Sequence, residues 1–250
     1  MDFEVAELNL RLPILAAAIA GLIVAACGAP ASSSDPISEP GEVEPAPADA
    51  PNSPTLPEPE SAIDPFKIVM LGDSLTAGFG LPPADALPEQ LERRLTSETY
   101  AVEFVNAGVS GDTSAGGLAR YDWSVASVDP DILVLALGAN DYLSGLDPAQ
   151  TRANLSTIVE RAQADGTDVF LVSLSARSSA ASDPRAAAFA AIYPDLAATY
   201  GVPLYEGLMD PVFDKPELLM PDGLHPTADG VGAIAQPLAD TLAEYLSDRD

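Results

Sequence analysis

The chain holds a single histidine, His225, and so a single imidazole able to act as a base near neutral pH. It lies in Asp222-Gly223-Leu224-His225-Pro226, with a carboxylate three residues before it. A turn at that spacing brings Asp222 to one ring nitrogen and leaves the other free. Such a base activates a hydroxyl, and the candidate is Ser74 in Gly72-Asp73-Ser74-Leu75-Thr76-Ala77-Gly78. An apolar run ends in a glycine turn there, and the serine stands where a helical element can begin. Backbone N–H groups at such a start carry partial positive charge and favour a developing anion. Two more loops carry donors for that anion. The N–H of Gly108 stands in Asn106-Ala107-Gly108-Val109-Ser110-Gly111-Asp112-Thr113, where glycine lets the backbone approach a ligand. Asn140 offers a side-chain amide in Leu137-Gly138-Ala139-Asn140-Asp141. Each loop alone serves equally well as a turn or a helix cap. Together they allow Ser-His-Asp acyl transfer, provided that the fold brings them to one place. Asp73, Asp141, Asp222 and His225 also allow an oxygen-rich Mg²⁺ or Mn²⁺ site, which activity surviving EDTA would exclude.

The elements that must position these loops are legible as apolar runs. Phe66 to Leu71, Val102 to Val105, Asp131 to Leu137, Val169 to Leu174 and Val202 to Tyr205 read as buried strands. Leu87, Leu91 and Leu95 share one helical face, as do Leu155, Ile158, Val159 and Ala162. Ala228 to Leu246 closes the chain as a helix. Strands alternating with helices predict a three-layer αβα sandwich around a five-stranded parallel sheet of flavodoxin-like order. In such a sheet the functional loops follow the carboxyl ends of the strands. The loops beginning at Gly72, Asn106, Gly138 and Tyr205 all satisfy that rule. The G-x-S-x-G elbow, the P-loop and the G-x-G-x-x-G turn of other α/β enzymes do not occur at a strand end.

Three segments follow from composition. Residues 1–27 form a targeting segment, with no charged or polar side chain from Leu12 to Ala26. Fifteen residues rise about 22 Å as a helix, short of a membrane core of roughly 30 Å. Asp2, Glu4 and Glu7 against Arg11 depart from the usual positive start of such a signal. The run Val24-Ala25-Ala26-Cys27-Gly28 resembles the bacterial lipoprotein box, which implies lipidation of Cys27 and a membrane anchor in the cell envelope, facing the periplasm or the exterior. Residues 28–64 hold nine prolines and eight acids without Lys, Arg or an aromatic residue, and read as a disordered tether. Residues 65–250 form one domain. The chain carries 38 acids against 11 bases, a net charge of −27, which disfavours nucleic acid. One cysteine excludes an internal disulfide and a Cys-based zinc site.

The blocks Gly72-Asp73-Ser74-Leu75, Gly111-Asp112-Thr113-Ser114, Gly138-Ala139-Asn140-Asp141, Ala191-Ile192-Tyr193-Pro194 and Asp222-Gly223-Leu224-His225-Pro226 resemble those of the SGNH (GDSL) hydrolases. The resemblance covers roughly Lys67 to Leu246 and is nearest the bacterial thioesterase, lysophospholipase and arylesterase members. It implies Ser74 as nucleophile, His225 as base and then acid, and Asp222 as its orienting partner. It implies an oxyanion hole from the Ser74 and Gly108 N–H groups and Asn140 Nδ2, with Asp73 supporting the Ser74 loop. It implies no cofactor and no metal, a small ester or thioester substrate, and a monomer. Ala139 stands where close relatives often have another glycine. The stretch from Leu174 to Pro184 matches relatives poorly and is expected to border the acyl site. A carbohydrate O-acetyl esterase on the same site and a non-catalytic acyl-binding surface lipoprotein are the alternatives.

Overall fold

The structure is a computed structural model, and it describes residues 65–96, 101–173 and 184–249. The targeting segment with Cys27, the tether of residues 28–64 and most of the 174–184 stretch lie outside the described residues.

Five strands form the sheet: β1 (Phe66–Gly72), β2 (Val102–Gly108), β3 (Ile132–Ala136), β4 (Asp168–Val172) and β5 (Leu204–Tyr205). All pairs are parallel and the order is β2-β1-β3-β4-β5, the flavodoxin-like order expected. β1 from Ile68 to Gly72 and the whole of β3 are continuous apolar runs because both of their faces are covered. Eight helices are described: α1 (Ser74–Ala77), α2 (Leu87–Leu95), α3 (Ser114–Ala119), α4 (Tyr121–Ser124), α5 (Ala139–Leu143), α6 (Pro148–Ala164), α7 (Pro184–Tyr200) and α8 (Ala228–Ser247).

Alternation along the strands divides the core in two. Ile68, Met70, Ile132, Val134 and Phe170 point to one face, where Leu87, Leu91 and Leu95 of α2 meet Val231, Ile234, Leu238 and Leu242 of α8. Val69, Leu71, Leu133, Leu135 and Leu171 point to the other, against Tyr121, Leu155, Ile158 and Val159, and Phe189 and Ile192 of α7. This is a three-layer α/β sandwich.

All five strands depart from their expected bounds, β1, β3 and β4 by only one or two residues at an end. β2 continues to Gly108, in register with Gly72 of β1, so that β1 and β2 end level with one another. β5 keeps only two residues, Leu204 and Tyr205, paired with Leu171 and Val172 of β4 at the sheet edge. α7 was not expected as a helix. Its alanines give a weak apolar stripe, and Pro194 stands in its interior, where proline removes a helical hydrogen bond. Burial of Ala186, Phe189, Ile192, Tyr193 and Leu196 against the sheet sustains it.

Candidate active site

The carboxyl ends of β1 and β3 open onto a cavity of about 580 Å³, with Ser74, Asn140 and His225 in its wall. Ser74 is the first residue of α1. Asp73 caps that single turn by accepting the Leu75 N–H at 3.0 Å. The Ser74 N–H makes no hydrogen bond among the described residues, as befits the first position of a helix.

His225 arrives from the loop between β5 and α8. Its backbone carbonyl accepts from Met220 N at 2.7 Å, and Thr227 N donates to Leu218 O at 2.9 Å, so the segment doubles back as a short bridged turn. Thr227 then caps α8 through the Gly230 N–H. Within that turn Asp222 Oδ1 accepts the Leu224 N–H at 2.9 Å and the His225 N–H at 3.0 Å. Its Oδ2 lies 2.7 Å from His225 Nδ1, and His225 Nε2 lies 2.9 Å from Ser74 Oγ. The hydrogen bonds from the imidazole and the two backbone donors hold the Asp222 carboxyl down at about 2. An ionised carboxylate only accepts, so the Nδ1 proton points at Asp222 and Nε2 is free to accept the Ser74 hydroxyl proton. The Phe79 ring stacks on the imidazole at 4.2 Å between centroids and fixes its plane.

Asn140 sits in the first turn of α5. Its Nδ2 donates to Asp112 O at 2.9 Å and, at 3.3 Å, to Asp73 Oδ2. The short bond ties the β3 loop to the β2 loop. Asp73 itself is 1% exposed, and burial raises its carboxyl to about 6 against the pull of the Leu75 N–H and His225. Gly138 opens α5 at φ 120°, and a β-carbon there would meet the Tyr193 hydroxyl at 2.5 Å. Glycine is therefore required on both counts. The Tyr193 hydroxyl donates to Leu137 O at 2.7 Å, fixing the end of β3 from within α7. Burial pushes this phenol up, which keeps it a donor.

Gly108 occupies a different place from that expected. Its N–H is spent on Asn106 Oδ1 at 3.1 Å, and a β-carbon on it would meet Ala77 N at 2.2 Å. The residue is glycine so that α1 can pack against the end of β2. The same loop instead gives Ser110 and Gly111 to the cavity wall, and the Gly111 N–H makes no hydrogen bond among the described residues. Of the residues singled out in the sequence, Ser74, Asp73, Asn140, Asp222 and His225 are brought together, and Gly108 is not a lining residue. Asp141 is likewise separate. Its buried carboxylate accepts the Ser114 N–H and hydroxyl and the Thr151 hydroxyl, at 2.8, 2.5 and 2.9 Å, and so locks α5 to α3 and α6. The described residues contain no cluster of three or more metal-ligating side chains.

Sequence reasoning missed Arg120. It is buried, and it spans Asp112 Oδ2 at 2.7 Å, Ser124 Oγ at 3.1 Å and Gly72 O at 3.0 Å. One guanidinium thereby holds the strand end before Ser74 and the residue after Gly111. Its fork of donors suits that task as lysine would not. No pattern of residues singles it out, since one of its partners is the backbone carbonyl of Gly72. Phe79 and Tyr193 were visible as aromatic residues without any indication of what they face.

Residues 70–233 match the model of the GDSL-like lipase/acylhydrolase family. The chain is 36% identical over 180 residues to the esterase TesA of Pseudomonas aeruginosa, covering 72% of this chain and 89% of that protein. It is 36% identical over 180 residues to the thioesterase 1/protease 1/lysophospholipase L1 of Escherichia coli, covering 72% of this chain and 82% of that one. The solved structure of AlinE4, an SGNH-hydrolase family esterase, superposes with a TM-score of 0.61 at 36% identity, over 74% of this chain and 99% of the other. With its strand-end loops converging on one cavity and these matches spanning its sheet, the chain belongs to the GDSL-like lipase/acylhydrolase family and is an ester-hydrolysing enzyme.

Proposed function

We propose that the enzyme is a serine esterase of aryl and acyl esters that works through an acyl-enzyme on Ser74. The observation that carries this reading is the unbroken line from Asp222 Oδ2 through His225 to Ser74 Oγ, at 2.7 and 2.9 Å. Ser74 Oγ attacks the ester carbonyl carbon as His225 Nε2 takes the hydroxyl proton. The resulting imidazolium is held by ionised Asp222. The C–O bond to the leaving alcohol breaks, and Nε2 gives its proton to that alcohol. Water then adds to the acyl-enzyme by the same route, releasing the acid and restoring Ser74. The carbonyl oxygen, negative in between, meets the free N–H groups of Ser74 and Gly111. The longer of the two Asn140 bonds, to Asp73 at 3.3 Å, is the one the oxyanion displaces. The glycine donor in this reading is Gly111 rather than Gly108, because only the former has an unspent N–H beside the cavity.

The acyl group runs against Tyr142, Leu143, Phe189, Met209 and Phe213 of the cavity wall. All of the reacting groups come from one chain, so the site is complete without a residue from a second copy. The lipoprotein-like run ending at Cys27 and the proline- and acid-rich stretch after it support a membrane-tethered enzyme of the bacterial cell envelope, facing the periplasm or the exterior. Two experiments test the reading. Ser74→Ala in the full chain is expected to lose at least about a thousandfold in p-nitrophenyl butyrate hydrolysis; undiminished turnover refutes the mechanism. A fatty-acid label is expected on the wild-type protein and not on Cys27→Ser; label retained by the variant refutes the anchor.

A further inference from the structure

We infer that Arg185 is a positioning residue that sets the acyl-chain preference of the enzyme, by holding in place the end of α5 and the Tyr142–Phe189 pair of the cavity wall. The inference rests on the reading of Ser74 as the nucleophile at this cavity. Arg185 is the second residue of α7 and stands one helical turn before Phe189, on the same face. Its guanidinium lies over two rings, 4.8 Å from the centre of Tyr142 and 5.0 Å from that of Phe189. Those rings meet edge to face at 5.4 Å and 77°, and both line the cavity. The same guanidinium closes the end of α5. Its Nη2 donates to the carbonyl oxygens of Asp141, Tyr142 and Leu146, at 3.3, 2.8 and 3.1 Å. The first two of these also accept the Leu146 and Gly145 N–H groups, at 2.9 and 3.1 Å, with Gly145 at φ 76°. This is a glycine-terminated helix end, and Arg185 adds a cationic donor to its carbonyls.

Apolar burial does not fix this turn. Leu143 and Leu146 are 58% and 40% exposed, and neither joins either half of the core. The two ends of α5 are held by different groups. At its start, the Asp141 carboxylate ties the helix to α3 and α6, and Asn140 is bonded to Asp112 O. At its end, Arg185 ties the carbonyls that follow Asn140 to α7. The start presents the oxyanion donor, and the end presents Tyr142 and Leu143 to the acyl chain. A change at Arg185 is therefore felt by the acyl chain more than by the reacting carbonyl. With the guanidinium in place the wall is fixed and favours chains that fit in front of it. Without it, Tyr142 and Leu143 give way to a longer chain.

The test is a series of p-nitrophenyl esters (acetate, butyrate, octanoate and dodecanoate) on the full chain and on Arg185→Ala. Acetate offers only a methyl group to the wall, and its kcat is expected to stay within about twofold. For butyrate, KM is expected to rise with kcat little changed. The dodecanoate-to-butyrate ratio of kcat/KM is expected to rise at least about tenfold, the effect that one methylene carries in a fitted pocket. Arg185→Lys keeps a charged donor for the carbonyls but not the planar fork that covers both rings, and is expected to leave a shift of about threefold. It reads the same change should Arg185→Ala fail to accumulate. A chain-length profile that keeps its shape in these variants overturns the inference. So does a loss of kcat shared equally by all four esters, the mark of a merely structural role. Undiminished turnover by Ser74→Ala strikes the esterase reading, whereas Ser74-dependent turnover with an unmoved profile strikes this inference alone.

Discussion

Removing the charge of Asp73 should make the protein more stable, and only at neutral and alkaline pH. The carboxyl is 1% exposed and lies at about 6 instead of 3.8, chiefly because burial disfavours its ionised form. The folded state therefore keeps a proton that the unfolded chain has already released. The favourable contribution of this group is complete below pH 3.8 and is lost as pH rises through about 6. A shift of that size corresponds to about 3 kcal/mol. Asp73→Asn keeps the shape and one oxygen to accept the Leu75 N–H, and gives up the weaker bond from Asn140, worth about 1 kcal/mol. The net gain is about 2 kcal/mol above pH 7, or roughly 4–8 °C in Tm for a domain of this size. Calorimetry of the full chain and the variant at a series of pH values from about 4 to about 8 reads it. The difference should be largest at the alkaline end and close to zero near pH 4. A difference independent of pH, or one growing toward acid, refutes the reasoning, because a buried carboxylate would then not be its source.

Four further substitutions probe the geometry of the site. Asn140→Ala removes one oxyanion donor and is expected to lower kcat about a hundredfold or more with little change in KM, read from steady-state p-nitrophenyl ester kinetics. Gly108→Ala drives a β-carbon into the Ala77 backbone, whereas one at Gly111 meets nothing within 4 Å and pays only for its φ of 83°. The first is expected to unfold or fail to accumulate, and the second to lose about 1 kcal/mol in denaturant melts. Asp222→Asn is expected to cost roughly a thousandfold or more in kcat by allowing the wrong imidazole tautomer. Because the Asp222 carboxyl lies at about 2, its protonation adds no limb to the wild-type pH–rate profile near neutrality.

Much of this site is visible in the sequence because few residues can do its chemistry. With one histidine in the chain, the base is fixed by elimination, and Asp222 by its spacing. β1 and β3 are legible because the stretches of strand covered on both faces, Ile68 to Gly72 and Ile132 to Ala136, are apolar. The loops then fall at their carboxyl ends. What spacing cannot show is which of two glycines in one loop turns its N–H to the cavity. That choice depends on the Asn106 side chain, which folds back onto Gly108. α7 is illegible for another reason, since packing against the sheet overrides Pro194 and a weak stripe. Arg120 and Tyr193 act through backbone carbonyls, of Gly72 and Leu137, and such partners leave no mark on side-chain patterns.

The account stands on a Ser74 hydroxyl activated by His225 across 2.9 Å. Reaction with a fluorophosphonate, followed by intact mass and peptide mapping, reads it directly. One adduct, on Ser74, forming at least about a hundredfold more slowly in His225→Ala, is the predicted result. An adduct on another residue, or one forming on Ser74 at an unchanged rate without the imidazole, would contradict it.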